Sequence, residues 1–85
     1  MDIIKLLLDK GMSVNLTNTH GSTPLHFSAE FGHLEATKAL VERGASINNT
    51  KINGATALMV AAQSGNFDIL RFLREIVLGV KLRDF

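Results

Sequence analysis

Apolar residues in this chain come in short bursts at helical spacing, each bounded by a capping residue and a glycine. Between residues 23 and 44 the pattern predicts two helices. Thr23 is a residue type whose hydroxyl accepts from an orphan amide at a helix start, and Pro24 suits the first turn, where its missing N–H is not needed. A helix therefore runs through Leu25, Ser28 and Ala29 to about Phe31, where Gly32 supplies the left-handed backbone that closes it. The second, from about Leu34 to Arg43, sets Leu34, Thr37, Leu40 and Val41 at helical spacing and leaves Glu35, Lys38 and Glu42 to water, with Gly44 at its end. Residues 45–54 are rich in Asn, Ser, Thr and Gly, which favours an extended turn over regular structure. The N-terminal MDIIKLLLDKG reads as one more helix. Its apolar run is short, broken by Lys5, preceded by Asp2, and lacks the small-residue cleavage site of a signal peptide.

The same punctuation returns at an offset of 33 residues: Gly11 matches Gly44, Asn15 matches Asn48, Gly21 matches Gly54, Thr23 matches Thr56, Leu25 matches Leu58, Ala29 matches Ala62 and Gly32 matches Gly65. Leu7 leads in the same way to Leu40 and Leu73. Self-similarity at this period marks a stacked repeat architecture. Two short helices and a turn cannot enclose a core alone, so each unit's apolar faces must be covered by its neighbours.

The middle unit carries "GSTPLH", "SAEFGH" and "ERGASIN", and on these segments the chain resembles the ankyrin-repeat family, whose unit is a β-turn followed by two antiparallel helices. The resemblance implies an all-α solenoid of stacked helix pairs joined by β-turn or hairpin loops. It divides a single domain over residues 1–85 into the second half of a truncated unit (1–17), a complete unit (18–50), a divergent terminal unit (51–78) and a tail (79–85). Similarity is expected to cover about residues 1–75. In the third unit Ala57 and Met59 stand where the second has Pro24 and His26, and Val77 stands where Gly11 and Gly44 stand. Its last helix should therefore run on to about Leu78 and stop at Gly79. The tail VKLRDF alternates apolar and charged residues and is expected either to fold back as an edge segment or to stay loose. The first unit lacks its first helix, which leaves Ile3, Ile4, Leu6, Leu7 and Leu8 without a capping neighbour. Either the chain is a piece of a longer array, the favoured reading, or a second chain covers that face.

Composition adds mainly exclusions. The 85 residues are 46% hydrophobic and 20% charged, with nine basic residues against eight acidic ones and a formal charge of +1. The basic residues are scattered, so neither a nucleic-acid nor an anionic-membrane footprint is expected. No stretch approaches the roughly 20 apolar residues that span a bilayer. With no cysteine there is no disulfide framework and no Cys-based zinc site, a composition compatible with a cytoplasmic or nuclear location. His20, His26 and His33 are spaced across a turn and two helices without accompanying ligands, so they read as structural, and no metal or other cofactor is expected. In the family that His26 resembles, this histidine bonds backbone and ties neighbouring turns together; His33 is expected to assist the turn between helices. Ser22 and Ser28 lie in no nucleophile elbow, and the glycines occur singly at turns, so catalysis and phosphate cradling have no support. Asn15-Leu16-Thr17 and Asn48-Asn49-Thr50 fit the N-glycosylation pattern, but they fall at equivalent repeat positions and read as turn chemistry.

The resemblance implies a non-catalytic module that binds another protein through the turn tips and the exposed sides of the first helices. The positions concerned are Thr19, His20, Ser22, Glu30 and Phe31 in the middle unit and Ile52, Asn53, Ala55, Gln63 and Ser64 in the third. Phe31 and Ile52 are candidate anchors; Phe31 could instead fold over Gly32 onto its own unit. The alternative function is a self-associating unit in which Ile3, Leu6, Leu78, Val80 and Leu82 meet copies of themselves.

Overall fold

The computed structural model describes residues 6, 9–11 and 13–79. Its helices are α1 (Pro24–Phe31), α2 (Leu34–Glu42), α3 (Ala57–Ser64) and α4 (Phe67–Leu78). No strand occurs among the described residues. Ahead of α1, Leu6 and Asp9 have helical backbone and the Lys10 N–H donates to the Leu6 carbonyl at 3.2 Å. The remainder of the expected N-terminal helix and residues 80–85 of the tail, with its proposed fold-back, lie outside the described residues.

Each boundary has a local cause. Thr23 and Thr56 are the N-caps of α1 and α3, in extended backbone that feeds the helix. Gly32 (φ +76°) and Gly65 (φ +74°) close these helices in the left-handed region, where a side chain would be strained. At the end of α2 the Gly44 N–H donates to the Val41 carbonyl at 3.1 Å and the Ala45 N–H to the Leu40 carbonyl at 2.9 Å, the paired bonds of a Schellman turn. Val77 allows no such turn, so α4 continues to Leu78 and Gly79 (φ +68°) ends it, as expected from the sequence.

The first helices α1 and α3 pack side by side, each against its own second helix, and α2 meets α4. One core runs through both units: Leu25, Ala29, Leu40 and Ala45 join Ala57, Val60, Ala61, Ile69 and Leu73 in a continuous cluster. Leu40 and Leu73 thus share a core, and neither unit closes one alone. The turns that precede the first helices repeat bond for bond. Gly21 donates to the Asn18 carbonyl (3.0 Å) and Gly54 to that of Lys51 (2.9 Å); Asn18 donates to Ser22 (3.1 Å) and Lys51 to Ala55 (2.9 Å). The Ile52 N–H then donates to the His20 carbonyl at 2.9 Å, holding the two turns edge to edge.

Candidate protein-binding surface

The element that positions the turn tips is a side-chain network at the start of α1. The Thr23 N–H donates to His26 Nδ1 at 3.0 Å, and the His26 N–H returns to Thr23 Oγ1 at 3.4 Å. A backbone N–H can only donate, so Nδ1 is the acceptor and the proton of the neutral ring sits on Nε2. Nε2 donates across the unit boundary to the Ala55 carbonyl at 3.1 Å. His26 is 2% exposed, and burial holds its ring below the ordinary histidine range. The bond to Ala55 opposes that shift and the positive charge of Lys51 reinforces it. The expectation that His26 ties adjacent turns together is met.

A second boundary tie comes from Asn66, which precedes α4. Its Nδ2 donates to the carbonyls of Ala29 at 2.6 Å and Glu30 at 3.0 Å. Asn18 braces the middle tip from within, its Oδ1 accepting from the His20 N–H at 2.9 Å and the Ser22 N–H at 3.0 Å. Asn53 does the same for the third tip through the Ala55 N–H at 3.0 Å. Asn15 Oδ1 accepts from the Ser46 N–H at 2.9 Å, so this glycosylation-pattern asparagine has a structural use at the first boundary. His33 assists the inter-helix turn only through its backbone: its N–H donates to the Ser28 carbonyl and its side chain makes no capping bond.

On this frame Thr19, His20, Glu30, Asn53, Gln63 and Ser64 are exposed. Ile52 is 80% exposed at the third tip and Phe31 is 62% exposed at the end of α1. Phe31 does not fold inward. Its ring stacks on Phe27, one turn earlier, with centroids 6.4 Å apart and planes within 1°. Two positions depart from the expected exposure. Ser22 is buried, drawn in because its N–H and carbonyl both pair with Asn18, and Ala55 is half-buried beneath the His26 bond. Phe27, partly exposed, is absent from the positions the sequence singles out; its spacing of four residues from Phe31 on one helix face is the signal that could have found it.

A family model described as "Ankyrin repeats (3 copies)" matches residues 1–84. The chain belongs to the ankyrin-repeat family. The match runs past residue 75, where the resemblance was expected to end, so the divergent end of the third ankyrin unit falls within it. No curated protein matches the chain. Ankyrin repeats are generally protein-interaction modules and typically non-catalytic. No described helix is long and apolar enough to cross a membrane, and the described residues contain no cluster of metal-ligating side chains. Of the residues invoked for self-association, Leu6 and Leu78 are exposed, while Ile3, Val80 and Leu82 lie outside the described residues.

Proposed function

We propose that this ankyrin module binds a partner protein along the surface formed by its turn tips and the exposed sides of α1 and α3. The observation that best supports this reading is the stacked Phe27–Phe31 pair, an aromatic ledge turned to solvent and bordered by Glu30. A partner side chain covering Phe31 or Ile52 would gain about 1.5 to 3 kcal/mol per residue buried, enough for either to act as an anchor. The polar tips at His20 and Asn53 would then supply the hydrogen-bonding rim. Their backbones are braced by Asn18 and by Asn53 itself, so little ordering cost would accompany binding.

The test compares capture of binding proteins by the wild-type chain with capture by Phe31→Ala combined with Ile52→Ala, both checked for helix content. Loss of a specific partner with helicity intact is the expected result. Undiminished capture of the same partner would refute the assignment of this surface.

A further inference from the structure

The second and third turn tips differ in how their N–H groups are met. In the second unit Asn18 Oδ1 accepts from the His20 N–H at 2.9 Å and the Ser22 N–H at 3.0 Å. One period on, Lys51 stands in the place of Asn18, and an ammonium can donate but not accept. The equivalent N–H groups are those of Asn53 and Ala55. Asn53 Oδ1 takes the Ala55 N–H at 3.0 Å, and no described residue accepts from the Asn53 N–H. The third tip has exchanged the second tip's built-in acceptor for a cation.

His20, Lys51, Ile52 and Asn53 line an open groove of about 240 Å³ between the two tips. Its walls are fixed, because the Ile52 N–H donates to the His20 carbonyl and the Gly54 N–H to the Lys51 carbonyl, both at 2.9 Å. Ile52 lies along Gly21, where a Cβ would stand 3.4 Å from its Cγ1, yet it remains 80% exposed. The tips, residues 18–22 and 51–55, contain no acidic residue. Glu30 sits near the far end of α1, roughly 10 Å from the N-cap at the helical rise per residue, which is close to a Debye length. Salt therefore screens much of its effect on the groove.

We propose, on the footing of the tip surface above, that this groove receives the carboxylate of an acidic side chain in the partner, with a neighbouring apolar residue of the partner covering Ile52. Lys51 supplies the complementary charge, and the Asn53 N–H and the His20 ring stand beside it as further donors. The partner brings to the third tip the acceptor that Asn18 provides within the second.

The probe is a displayed library of random peptides selected on the full 85-residue chain, keeping those whose binding is lost on Phe31→Ala with Ile52→Ala. These peptides are expected to carry Asp or Glu at a fixed spacing from an apolar residue. By fluorescence anisotropy, changing that acid to its amide is expected to weaken binding to the wild type about tenfold, and added salt to weaken the acidic peptide more than the amide. Lys51→Asn gives the third tip the residue the second already uses and keeps its helix content by circular dichroism. It is expected to bind the acid and amide peptides equally. Retained peptides without an acid, or an acid-to-amide loss of the same size on Lys51→Asn, overturn the proposal while leaving the tip surface in place. A library that yields no peptide dependent on Phe31 and Ile52 refutes the tip surface itself, and the acidic partner with it.

Discussion

The second and third units share a backbone plan but hold it differently. The second is polar at its joints: Thr23 and His26 bond each other, His26 reaches Ala55, and the Ser28 and Thr37 hydroxyls meet at 2.8 Å in the interior while also reaching the carbonyls of Leu25 and His33. Arg43 adds an ion pair with Asp9, exposed and therefore worth at most about 1 kcal/mol. The third unit replaces these groups with apolar ones. Met59, Ala61, Leu70 and Ile76 stand for His26, Ser28, Thr37 and Arg43, and Thr56 caps α3 through a single bond from the Met59 N–H at 3.3 Å. Buried hydrogen bonds fix the geometry of the unit on which the third one packs. In the third unit the position of His26 is filled by methionine, 53% exposed.

Both units depend most heavily on the core they share. Leu40→Ala leaves a cavity in the cluster common to them and is expected to cost about 2 to 5 kcal/mol in urea unfolding, with both units lost in one transition. His26→Met, which gives the second unit the third unit's residue, removes the acceptor for the Thr23 N–H and the donor to Ala55, and is expected to cost about 1 to 3 kcal/mol. The reverse change, Met59→His, gains at most the bond to the Thr56 amide and should shift stability by about 0.5 kcal/mol or less. A comparable gain and loss at the two positions would show that the boundary bond is not what separates the units. Thr37→Val is expected to cost about 1 kcal/mol, and Ser28→Ala with Thr37→Val less than the sum of the two changes, because the third unit packs Ala61 and Leu70 at these places without a hydroxyl.

Much of the fold is readable in the sequence because its signals are local. Thr23, Pro24, Gly32, Gly44 and Gly79 act within one turn of their own position, and the 33-residue offset supplies the stacking. Even the extension of α4 follows from one residue, Val77, in place of a glycine. The tip surface is harder to read because exposure is decided by neighbours. Ser22 has the composition of a surface residue, yet Asn18 draws it in, and a periodicity argument cannot see that bond. Phe27 falls at a position whose equivalent, Val60, is core, so only the assembled units show one buried and the other in partial contact with water. His33 is expected to assist the turn between helices and does so through its backbone, a bond that residue type does not foretell, while its side chain makes no capping bond there.

A neutral, buried histidine joins one ankyrin unit to the next. The sign of its pH dependence is fixed by linkage. Because the folded ring binds a proton less readily than the unfolded one, its contribution is complete above about pH 6.5 and is lost as the pH falls from there toward the lowered folded value. A nitrogen-15 NMR titration of the His26 ring tests this directly. The structure predicts a proton on Nε2, none on Nδ1, and a midpoint below 6.5; a proton on Nδ1, or a midpoint at or above 6.5, would contradict it.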